Sequence, residues 1–140
     1  MATPVGQVAT VGGYDRGMAG VRILLAEDEG VVARPLITAL RERGHEVRWV
    51  RAVRELRTEL PEFRPALLLL DVTLDTDGLE FLQAIRFTAD CPPAGVVVLT
   101  DPGDTISRDR AHQLGAAAVI TKPVEGAELL ALVEELVGFL

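Results

Sequence analysis

Residues 66–70 form an unbroken apolar run that includes four consecutive leucines and stops at Asp71. Four leucines in a row leave no face for water, so the segment reads as a central strand buried on both sides. Such a strand needs helices packed above and below its sheet. Three further runs are largely apolar: Val21–Ala26 (interrupted only by Arg22), Gly95–Leu99 and Ala116–Ile120. Short apolar runs bounded by polar or turn residues are the pattern of buried strands. At or just beyond their ends stand Glu27-Asp28-Glu29, Asp71, Thr100 and Lys122-Pro123. Carboxylates, a hydroxyl and an ammonium are thus all expected at strand C-termini, where open α/β sheets bind ligands.

The intervening segments carry helical periodicity. The first helix is expected from about Val31 to Arg43, with Val32, Leu36, Ala39 and Leu40 on one face, Pro35 near its first turn and Gly44 at its end. Glu46–Val50 alternates as a second strand, and Ala52–Leu60 follows as a helix closed by Pro61. The third helix is expected over Leu79–Thr88, with Phe81, Leu82 and Ile85 inward. Asp104 is placed to cap a weak fourth helix over Thr105–Leu114, terminated by Gly115. The fifth strand covers Ala118–Thr121 and the fifth helix Glu125–Leu140. Strictly alternating β and α units imply an α/β fold with a parallel sheet covered on both faces. Residues 1–20, rich in Gly, Ala, Thr and Val, read as a flexible leader, and residues 21–140 as one domain.

Bulk properties narrow the function classes. An apolar content of 49% supports a real core. A formal net charge of −7 argues against general nucleic-acid affinity for this chain alone. The single cysteine, Cys91, excludes an intrachain disulfide framework and suits a reducing cytoplasm. No apolar stretch approaches the roughly 20 residues of a membrane helix, and the N-terminus lacks a signal-peptide pattern.

Glu27, Asp28 and Asp71, brought together, would repel one another unless a cation sat among them. Hard oxygen donors suit Mg²⁺ or Mn²⁺. Alone, Glu27-Asp28-Glu29 is better explained as a helix cap or start, since acids favour the positive end of the helix dipole. That explanation leaves Asp71 and Lys122 unaccounted for. Asp71 is the candidate nucleophile, since a carboxylate can attack phosphorus to give an acyl phosphate. Such transfer needs charge neutralisation more than proton transfer. Lys122 supplies a positive charge, and Thr100 offers a hydroxyl donor.

Over about residues 22–139 the chain resembles the receiver domain of two-component response regulators. The resemblance rests on the segment from Ile23 to Glu29, on Leu67–Asp71 followed by Gly78-Leu79-Glu80-Phe81-Leu82, on Val97-Val98-Leu99-Thr100, and on Leu114-Gly115-Ala116 through Thr121-Lys122-Pro123. Each motif is weak singly, and the ordered set is specific. The family implies a flavodoxin-like (βα)5 doubly wound fold with a five-stranded parallel sheet. It implies that Asp71 accepts a phosphoryl group from a sensor histidine kinase or phosphotransfer protein. It also implies that Glu27, Asp28, Asp71 and the backbone carbonyl of Thr73 bind Mg²⁺ (or Mn²⁺), that Thr100 and Lys122 contact the phosphoryl group, and that the Lys122–Pro123 bond is cis.

Several positions depart from the family pattern. The loop Asp71–Gly78 is one residue short, and Asp75 stands where proline is usual. Val119 occupies the usual aromatic switch position, Asp101 follows Thr100 where a small residue is usual, and Val124 replaces a phenylalanine. Glu27 replaces an aspartate, a mild change. The missing aromatic keeps a rival in view: a receiver-like docking or dimerisation module that does not use phosphorylation. A dehalogenase-type phosphatase is disfavoured, because Thr73 stands where its second acid is required. A calcium loop over Thr73 to Gly78 fails because Ala84 replaces the glutamate.

The fifth helix carries more apolar residues than one core-facing stripe needs, among them Leu129, Leu130, Leu132, Val133, Leu136, Val137, Phe139 and Leu140. It is either core with a frayed end or a surface for a homodimer or an output domain. Arg41, Arg43, Arg48, Arg51, Arg54 and Arg57 make a basic region that Glu42, Glu55 and Glu59 are placed to offset.

Overall fold

The computed structural model describes residues 20–75, 77–138 and 140. Its elements alternate as β1 (Arg22–Ala26), α1 (Gly30–Glu42), β2 (Glu46–Val50), α2 (Val53–Phe63), β3 (Leu67–Asp71), α3 (Gly78–Ile85), β4 (Val96–Thr100), α4 (Thr105–Gln113), β5 (Ala118–Thr121) and α5 (Gly126–Val137). The strands form one parallel sheet in the order β2-β1-β3-β4-β5, the doubly wound arrangement expected. The leader expected over residues 1–20 lies, Gly20 apart, outside the described residues. No helix among the described residues is long and apolar enough to cross a membrane.

The period-two geometry of a strand divides its side chains between two cores. Leu68 and Leu70 of β3 join Leu24, Ala26, Val96 and Val98 under α2, α3 and α4. Leu67 and Leu69 join Ile23, Leu25, Val97 and Leu99 under α1 and α5. Every residue of β3 and β4 is buried. Phe81, Leu82 and Ile85 face inward as expected. On α1 the fully buried set is Ala33, Leu36, Ile37 and Leu40. The seam therefore runs through Ala33 and Ile37, and Val32 and Ala39 are only half-buried at its margin.

Three helix ends differ from expectation for physical reasons. α3 stops at Ile85, short of Thr88, whose amide and hydroxyl turn back to donate to the Ile85 carbonyl at 2.9 and 2.8 Å. Pro61 does not close α2, which continues to Phe63. Phe63 is buried in the core, and the carbonyls released at the helix end find a donor. Arg22 Nε donates to the Phe63 carbonyl at 2.7 Å and Arg22 Nη2 to the Arg64 carbonyl at 3.0 Å. These bonds hold Arg64 at a left-handed φ of 51°, which a non-glycine residue adopts only under such constraint. α5 ends at Val137, short of Leu140, with Leu129, Val133 and Val137 buried. Leu130, Leu132 and Leu136 are half-buried against the same core, so most of the apolar excess of this helix is absorbed internally. Leu140 is exposed, and the side chain of Phe139 lies outside the described residues. Asp104 caps α4 as expected, accepting from the Ser107 amide at 3.1 Å.

Gly78, the first residue of α3, fixes the approach of that helix to the end of β3. A Cβ there would stand 2.5 Å from the Asp71 carbonyl oxygen and 3.1 Å from Val72 Cα. Both are backbone atoms and cannot swing aside. Gly78→Ala should therefore destabilise the fold by about 1–3 kcal/mol, the range for overpacking, as measured by urea denaturation. An unchanged midpoint would show that the β3–α3 junction is looser than this geometry implies.

Candidate functional site

The sheet order reverses between β1 and β3, and in open α/β sheets ligands bind at that switch point. The register there is Ala26 opposite Leu70, so Glu27 and Asp71 are neighbours across it. Thr100 ends β4, and Thr121 is its partner on β5. Lys122 follows directly, its amide donating to the Thr100 carbonyl at 2.8 Å. The Lys122–Pro123 peptide is cis. The topology thus brings Glu27, Asp28, Asp71, Thr73, Thr100 and Lys122 to one end of the sheet.

Lys122 Nζ lies 3.2 Å from Glu27 Oε1 and 3.2 Å from Asp71 Oδ2. Both carboxylates are buried. Asp28 reaches solvent, and one oxygen each from Glu27, Asp28 and Asp71 lie within 4.8 Å of one another. The Thr73 amide donates to Asp71 Oδ1 at 3.1 Å, and the Thr73 hydroxyl stands 3.0 and 3.1 Å from the two carboxylate oxygens. The expectation for Thr73 concerns its carbonyl; the groups that touch Asp71 are its amide and side chain. Thr100 Oγ1 is buried without a hydrogen-bond partner. Glu27 Oε1, although close to Lys122, accepts no well-aligned hydrogen bond.

The electrostatics follow from enclosure. Burial pushes the Glu27 carboxyl from 4.5 up to about 7, the Asp71 charge adding to the rise; the Glu29 amide and Lys122 oppose it. Burial also works against the charge on Lys122, but Asp71 and Glu27 outweigh it and hold its pKa above the ordinary value. The two groups answer differently because Lys122 has two carboxylates facing it whereas Glu27 must share one ammonium with Asp71. A donor set of hard carboxylate oxygens, one of them buried and under-satisfied, with less positive charge nearby than negative, fits a small divalent cation.

Several supports of the site have no counterpart in the sequence pattern. Val53 donates its amide to Asp75 Oδ1 at 2.9 Å. Asp75 thereby caps α2, which has no side-chain cap of its own. Trp49 Nε1 donates to the Glu27 carbonyl at 2.7 Å, and Arg51 Nη2 to the Asp28 carbonyl at 2.8 Å. Such bonds to backbone carbonyls leave no signature in motif spacing. Asp101 is half-exposed, its Oδ1 3.9 Å from Lys122 Nζ. Val119 is half-buried against the core under α2, α3 and α4. Arg108 Nη2 of α4 donates to Thr121 Oγ1 close by.

A family model for the response regulator receiver domain matches residues 23–134. The phosphate regulon transcriptional regulatory protein PhoB of Pseudomonas aeruginosa is 29% identical over 118 residues, which cover 81% of this chain and 50% of that protein. The chain spans about half the length of the curated relatives it matches. A crystal structure of a response regulator from Chloroflexus aurantiacus superposes with a TM-score of 0.78 at 26% identity, covering 85% of this chain and 98% of that one. The receiver domain of the sensor histidine kinase PA1611 from Pseudomonas aeruginosa superposes with a TM-score of 0.75 at 26% identity, over 86% of this chain and 99% of that one. That structure is described with a magnesium ion coordinated in its active site cleft.

The raised Glu27 pKa has a defined effect on stability without metal. The folded carboxyl binds its proton more tightly than the unfolded one, so this group's contribution is full below about 4.5 and is lost as pH rises through about 7. In chelator, Glu27→Gln should match the parent near pH 5 and exceed it at pH 8 by on the order of 2 kcal/mol. Denaturation midpoints at the two pH values check this. A difference that does not grow with pH would show that Glu27 is not held as a strained buried acid.

Proposed function

The chain belongs to the response regulator receiver family, and from that membership we propose that Asp71 accepts a phosphoryl group from a phosphohistidine of a sensor histidine kinase or phosphotransfer protein. The observation that carries this reading is the convergence on Lys122 of two buried carboxylates, each 3.2 Å from Nζ and each from a different strand end. A buried ion cluster of this kind stabilises a fold poorly for its desolvation cost, and phosphoryl chemistry gives it a use. Residues 21–140 are taken as the receiver unit.

In the proposed step an Asp71 carboxylate oxygen forms the new O–P bond. The P–N bond to the imidazole breaks, and its electron pair stays on the ring nitrogen. Charge shifts onto the three equatorial phosphoryl oxygens. Lys122 neutralises part of that charge, and its attraction to Asp71 passes to the phosphoryl group. The Thr100 hydroxyl, buried with no partner, has its donor available for a phosphoryl oxygen. Thr73 orients the carboxylate that attacks. Mg²⁺ or Mn²⁺, when held by Glu27, Asp28, Asp71 and the Thr73 carbonyl, would offset the remaining negative charge. A kinase partner and the free thiol Cys91 both suit the cytoplasm. Transfer of the signal to an output domain or a second copy, through α5, belongs to the same proposal.

Acetyl phosphate or a phosphoramidate with Mg²⁺ should add one phosphoryl group, read by intact mass, and Asp71→Asn should abolish it. An adduct that persists in Asp71→Asn, or none with any donor, would overturn the assignment.

Asp101 adds negative charge beside the pocket and competes for Lys122 from 3.9 Å. Asp101→Ala should therefore be phosphorylated faster by small anionic donors, by about two- to fivefold at low salt, with the gap closing as ionic strength rises. Stopped-flow rates at two salt concentrations measure it. Equal rates at both would remove the charge barrier.

A further inference from the structure

The loop carrying Glu27 and Asp28 is held from outside its own helix. Glu29, the N-cap of α1, makes no side-chain cap. Instead, three hydrogen bonds reach the loop from β2 and the turn after it. The Glu27 amide donates to the Val50 carbonyl at 3.0 Å. Trp49 Nε1 donates to the Glu27 carbonyl at 2.7 Å, and Arg51 Nη2 donates to the Asp28 carbonyl at 2.8 Å. Trp49 is itself fixed by stacking: the guanidiniums of Arg34 and Arg51 lie 5.5 and 4.9 Å from its ring centroid.

We propose that Trp49 and Arg51 are positioning residues for the divalent-cation site, setting its affinity by locking the backbone of two consecutive ligands. This rests on the metal site of the proposed function. Glu27, Asp28 and Asp71 repel one another, and a loop free to relax would move its acids apart and need to be drawn back on binding. Anchoring both carbonyls removes that freedom beforehand, and preorganisation of ligands raises affinity. The charge of Arg51 would by itself oppose a bound cation, so a loss of affinity on its removal reads the anchoring of the Asp28 carbonyl. The residues touch neither the cation nor the phosphoryl group. Trp49 is the only tryptophan in the chain, so its emission reports directly on this loop.

The test is Mn²⁺ binding to the full chain at fixed pH, read from the electron paramagnetic resonance of free Mn²⁺. Trp49→Phe keeps a ring for stacking and loses the N–H; Arg51→Gln loses the stacked charge. Each should weaken Mn²⁺ binding by about tenfold, the lower end for lost support around a ligand, while Arg51→Lys, which keeps a cationic donor, should recover most of the affinity. Arg48→Gln is the control: Arg48 lies on the same strand but pairs with Glu59 and stacks on Phe63, and its loss should leave affinity within about twofold. With acetyl phosphate, the half-saturating Mg²⁺ concentration should rise in Trp49→Phe and Arg51→Gln while the maximal rate is kept. Parental emission should shift on Mg²⁺ addition with the midpoint of binding. If Trp49→Phe fails to fold, the Arg51 pair decides. Parental Mn²⁺ affinity in Arg51→Gln, or an equal loss in Arg48→Gln, overturns the inference and leaves the metal site standing. A parent that binds no Mn²⁺, or binds it unchanged in Asp28→Ala, overturns the metal site and the inference together.

Discussion

β3 is the constraint on which the rest of this molecule depends. It lies between β1 and β4 and sends Leu68 and Leu70 into one core and Leu67 and Leu69 into the other. Neither core closes without it, so all five helices are referred to its position. Its last residue is Asp71, so the most buried strand ends in a carboxylate at the point where sheet order reverses. Rigidity of the strand therefore becomes positional accuracy of the acid. Gly78 continues that logic, since only the lack of a side chain lets α3 start against the Asp71 carbonyl.

The site at that strand end is costly to maintain. Two buried carboxylates share one ammonium, and burial, with the Asp71 charge adding to it, pushes the Glu27 carboxyl up to about 7. Buried polar groups left without partners, here Thr100 Oγ1 and Glu27 Oε1, ordinarily cost on the order of 1–3 kcal/mol each. The fold supports them with bonds placed around the site. Thr73 fixes Asp71, Trp49 and Arg51 fix the β1–α1 loop, and the Lys122 amide ties the end of β5 to β4. Sites of this kind hold charge in place before a ligand brings the charges that balance it.

The departures from the family pattern acquire different meanings in three dimensions. Asp75, in the place of a usual proline, caps α2 and joins the loop after Asp71 to the start of that helix. Asp101 enters the electrostatics of Lys122. Val119 is a β-branched side chain packed against the core and too stiff at χ1 to act as a rotating ring. A polar contact, between Arg108 and Thr121, also joins α4 to β5.

By itself, the sequence determined the layer architecture, the existence of the strands and their order along the chain, and which polar residues stand at the strand ends. The physical reason is that fully buried strands and strand-end polar groups are local patterns: four leucines cannot be half-exposed, and an acid after them must lie at a strand end. Helix limits were less legible. Pro61 has a local preference to end α2, and a distant arginine, Arg22, together with burial of Phe63, overrides it. The facing of α1 was offset because Val32 and Ile37 are equally apolar in sequence, and only the crossing of α1 over the sheet decides which is enclosed. The apolar excess of α5 had no unique meaning until packing placed Leu130, Leu132 and Leu136 at the core margin. Tertiary structure alone decided the 3.2 Å approach of Lys122 to both Glu27 and Asp71, the pKa of Glu27, and the anchoring of the acidic loop by Trp49 and Arg51. Those depend on distances between residues from 22 to 95 positions apart in the chain, and on desolvation, which no residue possesses until its neighbours surround it.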